Sequence, residues 1–471
     1  MPCMARARRG EILSLTIDDL AFGGEGVGRA DGYVVFVPGG VPGDRVRVRL
    51  AEARSRFGRG VIEEVETPSP HRVEAPCPYF GHCGGCRLQH VSYPAQLAFK
   101  TKQVADCLER LGGLGPFEMR PIVPAPEIYA YRNKMEFTVA PPARRGRTSP
   151  EGDAPGSETP VTVGLHRAER YDAVLDVDRC LLQSERMNAL LDESRRFFAD
   201  HALGAYDQAS GEGLLRFLML REGRRTGEAM ANVVTSAPAM AELAPLAEGL
   251  RARVPQTASV VMTVNPKKAS VAAGVEEHLL GGRDHIRESL GGLTFQVSPG
   301  SFFQTNTVQA ERLFELVLEA AGLAGTEAVI DLYSGTGAIS LLLARRCRWV
   351  YGIEVAAAAV ADATRNAELN GITNCTFLAG EVRFVLPSLI AKGVSAEVVV
   401  ADPPRAGFHP KALRSLMALA PARLVYVSCN PATLARDVGE LVRGGYRLDW
   451  VQPVDMFPHT GHIEAVARLS R

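Results

Sequence analysis

The run Asp331-Leu-Tyr333-Ser334-Gly335-Thr-Gly337 follows an apolar strand pattern and opens a helical one. Glycines at such a junction let the backbone approach a ligand closely. Glu354 ends the next strand pattern, 19 residues after Gly335, where a carboxylate can accept bonds from ribose hydroxyls. Asp331, a serine (Ser340) at the spacing of a third glycine, and the lack of a later nicotinamide signal favour S-adenosylmethionine over a nicotinamide cofactor. Asp402-Pro403-Pro404-Arg405 ends the fourth strand of the same series. In a doubly wound methyltransferase that position borders the methyl group and its acceptor; the plainer alternative is a turn.

Cys429 ends the strand pattern Leu424-Val-Tyr-Val-Ser428 at its loop. Taken alone it reads more readily as a packed thiol, but beside a methyl donor a thiolate has a specific use. Uracil C5 is a poor nucleophile until a thiolate adds to C6 and makes an enolate. The enolate carbon can then attack a sulfonium methyl, and a base must remove the C5 proton before the thiolate leaves. The segment Met456-Phe-Pro-His459-Thr-Gly-His462-Ile-Glu464 offers three bases. Glu464 is the expected one and His462 the reserve, because a carboxylate needs no tautomer assignment to accept a proton. A loop that merely holds the sheet edge is the competing reading.

Cys77-x5-Cys83-x2-Cys86, in CPYFGHCGGC, places three thiols within ten residues around Gly84 and Gly85. Such spacing suits a tight loop around one metal centre, with Cys180 the best fourth ligand and Cys107 its competitor on an expected helix. Four thiolates could hold zinc or an iron–sulfur cluster. The spacing is not the C-x3-C-x2-C of radical enzymes that cleave S-adenosylmethionine.

These residues need elements to position them. Apolar runs at Ala328–Tyr333, Trp349–Glu354, Cys375–Leu378, Glu397–Ala401 and Leu424–Ser428 are spaced for βα units, which predicts a doubly wound parallel sheet over 291–471 with a last strand at Ile463–Leu469. Residues 8–68 read as an OB-like β-barrel, in which Arg45-Val-Arg-Val-Arg-Leu50 alternates with period two. Residues 70–290 read as an α+β domain, with a helix at Tyr93–Leu111 that packs on the catalytic domain. A Pro-, Gly- and Ser-rich stretch, 141–160, reads as a flexible loop between strands Lys134–Ala140 and Val161–Leu165.

With 471 residues, 46% hydrophobic and 23% charged, the chain has the composition of a multidomain globular protein rather than a disordered, fibrous or membrane one. Its basic N-terminus is followed by no apolar signal segment, so a cytoplasmic location is expected. Nine cysteines there suggest metal or catalysis before disulfides. Fifty-three basic residues balance fifty-three acidic ones, against a protein that coats nucleic acid by bulk charge. Local patches remain open: Arg45, Arg47, Arg49, Arg54, Arg56 and Arg59 stand against one acid, Glu52, and Arg216, Arg221, Arg224 and Arg225 form a second candidate group.

Together the motifs resemble the uracil-C5 RNA methyltransferase family, most closely its ribosomal-RNA branch with an N-terminal TRAM barrel and a [4Fe-4S] cluster. YRNKMEF at 131–137, SFFQTN at 301–306 and YVSCNPATLARD at 426–437 extend the resemblance along nearly the whole chain. It implies that Cys77, Cys83, Cys86 and Cys180 hold the cluster, and that Gln304, Tyr333, Gly335, Glu354 and Asp402 line the S-adenosylmethionine site. Gln304 and Asp402 would also touch the target uracil, with Cys429 as nucleophile and Glu464 as base, and the base would be flipped out of its RNA. Ribosomal RNA is the favoured partner and transfer RNA the alternative; a monomer is expected. Tyr333-Ser334 stands where many members have Phe-Cys, Ala338 replaces a common Asn, and Glu381 occupies the place of a polar cofactor contact. An amino-group methyltransferase would need no thiol at Cys429, a cytosine-C5 enzyme would carry Pro-Cys near 402–407, and an RNA-folding protein with a vestigial site would have no reason to keep Cys429 and Glu464.

Overall fold

The computed structural model describes residues 7–142, 161–168, 170–269, 271–272 and 274–471. Strands β1 (Ile12–Leu20), β2 (Gly26–Ala30), β3 (Tyr33–Val37), β4 (Arg45–Ala53) and β5 (Phe57–Thr67) close into a barrel in the order β1-β2-β3-β5-β4. The alternation in β4 drives Val46, Val48 and Leu50 inward against Leu15, Ile17, Val35 and Val37, and leaves the arginines outside.

That outer face corrects the expected basic patch. Antiparallel pairing lays β5 beside β4, so Arg45 meets Glu66 at 2.9 Å, Arg47 meets Glu64 at 2.9 Å and Arg49 meets Glu63 at 2.9 Å. Arg59 pairs with Glu25 and Arg54 with Glu52. The run is basic along the chain and close to neutral in space; among the described residues only Arg56 of the six forms no ion pair.

Helix α1 (Tyr93–Arg110) carries Pro94 in its first turn, where the missing amide hydrogen costs nothing. After β6 (Glu118–Met119) come β7 (Lys134–Ala140), β8 (Thr162–Arg167), β9 (Arg170–Asp176), α2 (Glu185–Asp200), β10 (Leu215–Glu222), β11 (Ala229–Thr235), α3 (Met240–Arg253), β12 (Thr257–Val264) and β13 (Glu276–Gly282). Their sheet runs β13-β12-β11-β10-β7-β8-β9, with α2 and α3 packing Leu190, Phe198, Leu243 and Leu250 against Phe137, Leu218 and Val260. Of the stretch 141–160, residues 143–160 lie outside the described residues.

β10 is buried along its whole length, which corrects the second basic group. Arg216 donates to the carbonyls of Asn265 and Ala269 at 2.6 and 2.7 Å, and Arg221 to that of Ser301 at 2.6 Å. Arg224 pairs with Glu127 at 2.6 Å and Arg225 with Glu311. These guanidiniums tie loops together and are not a free phosphate-binding face.

A hairpin of β14 (Ile286–Leu290) and β15 (Leu293–Val297) leads to α4 (Thr307–Ala321), β16 (Ala328–Leu332), α5 (Ala338–Ala344), β17 (Trp349–Glu354), α6 (Ala357–Leu369), β18 (Cys375–Ala379), α7 (Val382–Ala391), β19 (Val398–Ala401), α8 (Pro410–Leu419), β20 (Arg423–Ser428), α9 (Pro431–Arg443), β21 (Arg447–Val454) and β22 (Glu464–Ser470). The sheet order is β18-β17-β16-β19-β20-β22-β21-β6. Seven of the eight strands run in one direction, β21 and β6 included; β22 alone enters antiparallel, between β20 and β21. The order reverses between β16 and β19, and ligands of such sheets bind at the carboxyl ends of the strands there. α1 packs Val104 and Leu108 with Leu434 and Val438 of α9, so it belongs physically to this layer. The approach needs glycine: a Cβ on Gly439 would lie 2.8 Å from the Gly112 carbonyl oxygen. Among the described residues no helix is long and apolar enough to cross a membrane.

Candidate active site

At the switch point the chain leaves β16 through Tyr333, Gly335 and Gly337, all with positive φ (67°, 53° and 85°). The amides of Tyr333 and Ser334 donate to the Ile353 carbonyl, and the Gly335 amide donates to Glu354 Oε2 at 3.1 Å, so this loop is fixed on the end of β17. A Cβ at Gly335 would meet nothing within 4 Å, and Ser334 Oγ is buried with no hydrogen-bond partner. An open backbone cradle beside an unspent hydroxyl and a carboxylate fits a nucleoside with ribose hydroxyls. Asp331 lies under it, linked to Ser340 at 2.5 Å, its carboxyl pushed up to about 7 by burial.

The other expected contacts fall around this loop unequally. Gln304 has its backbone carbonyl held by Asn133 Nδ2 at 2.9 Å. Tyr333 leans its ring toward Phe408, centroids 6.0 Å apart, and so is half committed to the core. Glu381 is exposed at the start of α7 and already paired with Arg383 at 2.6 Å, so a cofactor would have to compete for it.

Cys429 and Glu464 come together through strand register. Ser428 of β20 pairs with Ala465 of β22, so the next step outward sets Cys429 against Glu464. Asn430 caps α9 by accepting from the Ala432 amide at 3.1 Å, which holds Cys429 just ahead of a helix N-terminus. Burial, then the nearby Glu464 and Asp402 carboxyls, push the Cys429 thiol up to about 11, while Arg405 works the other way. Burial also holds Glu464 well above the carboxylate range, with Asp402 adding and Arg405 subtracting; Asp402 itself is pushed by burial to about 7. Two carboxyls of raised proton affinity and a thiol around one arginine form an acid–base cluster of the kind found at reaction centres.

His462 is placed at the same spot in a different role. Burial and the adjacent Arg405 pull its imidazole down to about 4. Arg405 Nη2 lies 3.3 Å from His462 Nδ1, and since a guanidinium only donates, that nitrogen is the acceptor and Nε2 carries the hydrogen. His462 Nδ1 is thus occupied by Arg405. Arg405, which follows Pro404 in the Asp402-Pro-Pro motif, is a residue of this cluster to which the sequence assigned no role.

The loop 455–462 is held from outside at nearly every residue. Lys100 of α1 reaches Asp455 at 2.6 Å and the Phe457 carbonyl at 3.1 Å; Asn306 donates to the Met456 carbonyl and Tyr131 to that of Pro458, both at 3.0 Å. Gln96 donates to the Leu88 and Val91 carbonyls and accepts from the His459 amide at 2.9 Å. The amides of Arg87 and Leu88 both donate to the His459 carbonyl at 2.9 Å. Tyr131 of the YRN motif and Asn306 of the QTN motif, to which the sequence assigned no chemistry, therefore act on the loop that presents Glu464.

Cys77, Cys83, Cys86 and Cys180 line one cavity of about 430 Å³, together with Leu165 and Arg132. Cys107 is elsewhere, half-buried on α1 against the catalytic core. Among the described residues no group of three or more His, Cys, Asp or Glu side chains is drawn close enough to hold a single metal ion. The four thiols surround a space rather than converge on a point. Gly84, Gly85 and Arg87 also line a second cavity, of about 370 Å³, together with Cys429, Arg405 and His462, so the two cavities share a wall.

Comparison with known proteins bears on the whole chain. A family model for tRNA (Uracil-5-)-methyltransferase matches residues 271–471, and one for the TRAM domain matches 6–62. An uncharacterized RNA methyltransferase of Chlorobaculum tepidum is 42% identical over 471 residues, covering 99% of this chain and 98% of the relative. One of Halalkalibacterium halodurans is 39% identical over 465 residues, with the same coverage. The solved tRNA (uracil-54, C5)-methyltransferase of Pyrococcus abyssi, in complex with S-adenosyl-L-homocysteine, is 31% identical with a TM-score of 0.74 and covers 97% of this chain and 99% of its own. Since the likeness runs through barrel, middle sheet and catalytic sheet alike, the chain belongs to the uracil-C5 RNA methyltransferase family, in its TRAM-bearing form.

Proposed function

We propose that this enzyme methylates C5 of one uridine in a structured RNA through a covalent Cys429–C6 adduct. The observation that carries the reading is Cys429 set against Glu464 across the β20–β22 register, at a cavity that Arg405 also lines. S-adenosylmethionine, when bound, supplies the methyl group as a sulfonium electrophile. Gln304, Tyr333, Gly335, Glu354 and Asp402 would hold it, with Glu381 at the margin. Cys429 Sγ adds to C6 and the electron pair moves toward C5 and O4. Arg405 opposes the burial and the carboxyls that keep Cys429 as the thiol. Once C5 carries the methyl group, Glu464 takes the C5 proton, the C5–C6 double bond reforms and the C6–S bond breaks. A carboxylate with raised proton affinity is a better base for this step than an ordinary one.

Cys429→Ala should abolish 5-methyluridine formation while leaving S-adenosylhomocysteine binding within about threefold of wild type, because the thiol lies beyond the nucleoside cradle. Retained turnover would overturn the adduct. Ribosomal RNA is the proposed target, on the combination of TRAM barrel and thiol-lined cavity; transfer RNA is the second reading, favoured by the likeness to the Pyrococcus abyssi tRNA enzyme. Mapping 5-methyluridine in both RNAs from cells with and without the gene decides between them.

We also propose that Cys77, Cys83, Cys86 and Cys180 hold a [4Fe-4S] cluster. The reading rests on four thiols from two distant parts of the chain that line one cavity of about 430 Å³. The cluster's role would be to hold the Cys83–Cys86 loop, whose continuation bonds to His459. Anaerobic purification should give a brown protein with four inorganic sulfides per chain, whereas a colourless protein with one zinc would exclude the cluster.

A further inference from the structure

The catalytic cavity has a wall that comes from the barrel. Phe22 and Gly23, in the turn between β1 and β2, line it together with Cys429 and Asn430. That turn is held on three sides. Gln103 of α1 donates to the carbonyls of Leu20 and Ala21 at 2.8 and 3.2 Å. A Cβ on Gly461 would come within 2.7 Å of the Gly23 backbone, so the base-presenting loop lies directly on the turn. On the far side a Cβ on Gly24 would be 3.0 Å from Arg87 Cβ. The backbone on either side of Phe22 is thus fixed by α1, the thiol loop and the catalytic loop, yet the residue is 47% exposed. A large apolar ring left in water on so firmly anchored a turn, at the rim of a reaction cavity, is explained by a ligand that covers it.

We propose that Phe22 is a stacking platform for a nucleobase next to the target uridine, and that through it the barrel takes part directly in substrate selection. The inference rests on the uridine reading above. A cavity of about 370 Å³ is at the small end of ligand sites and suits a single nucleotide, so the flanking nucleotide must lie at the rim. Extrusion of the uridine deprives its neighbour of a stacking partner, and an aromatic face at that point replaces it.

The test is steady-state transfer of tritiated methyl groups to total RNA from cells lacking the gene. Phe22→Ala should raise the KM for RNA roughly fivefold or more, the factor expected for loss of one base–aromatic stack, with kcat within about twofold. Phe22→Trp should keep the wild-type KM, and Phe22→Leu, which preserves apolar bulk without a π-face, should behave like the alanine variant. An unchanged KM in Phe22→Ala, or a leucine variant equal to wild type, overturns the proposal. Should the alanine variant melt early, the leucine and tryptophan variants decide by the same criterion. A wild-type enzyme that labels no RNA removes the uridine reading and this inference with it; labelling that is indifferent to Phe22 removes only the stacking role.

Discussion

A thiol that must attack C6 is useful only as a thiolate, and the neighbours of Cys429 pull in both directions. Burial and two carboxyls push it up to about 11, and Arg405 opposes them. The free enzyme therefore holds a quiet nucleophile. Alkylation of Cys429 by iodoacetamide, followed on its own peptide by mass spectrometry, should accelerate about tenfold per pH unit from 7 to 10, as the thiolate fraction does below its pKa. Arg405→Gln should slow it further at each pH, since the guanidinium favours the charged form. A rate that levels off below pH 8 would contradict the raised pKa. Cys429 and Glu464 were both legible in sequence as chemistry-bearing types at the right ends of strands. Arg405 was not, because its importance comes from a 3.3 Å approach to His462 across 57 residues.

At the scale of elements, α1 does more than cover the sheet. It brings Lys100, 1% exposed, to Asp455, 0% exposed, at the root of the loop that presents Glu464. Burial lowers the Lys100 ammonium and the Asp455 carboxylate restores part of its charge. Removing one partner of a buried pair leaves an uncompensated charge and costs about 3–5 kcal/mol. Lys100→Met should lose stability on that scale in urea unfolding and reduce methyl transfer at least tenfold even where it is folded. A loss below about 1 kcal/mol would mean that water reaches Asp455 and that the loop stands without α1. The helix itself was predictable from Tyr93 to Leu111 by spacing, and it ends at Arg110. Its partner was not: a buried lysine looks in sequence like any surface lysine.

For the whole molecule, the balance of fifty-three against fifty-three is realised locally as well as in sum. On the barrel, arginines of β4 alternate with glutamates of β5, and exposed pairs of this kind contribute about 0–1 kcal/mol each. Recognition of RNA then rests more on shape and on a few free groups than on a basic surface. Arg56→Gln should reduce the slope of log affinity for RNA against log salt by about one ion, whereas Arg47→Gln, already neutralised by Glu64, should leave it nearly unchanged. Equal effects from the two would mean that RNA displaces the glutamates.

The sequence by itself determined the local chemistry: a glycine loop after a strand, a cysteine before a helix cap, a cluster of thiols, and the alternation that closes the barrel. These depend on residue type and on spacing within one or two elements, and covalent geometry preserves them. Only the tertiary structure decided what each group faces. The antiparallel entry of β22 sets Glu464 against Cys429, the pairing of β4 with β5 cancels a basic run, and the burial of β10 consumes Arg216 and Arg221. Charge and proton affinity are set by neighbours in space, and neighbours in space are chosen by the packing of the whole chain.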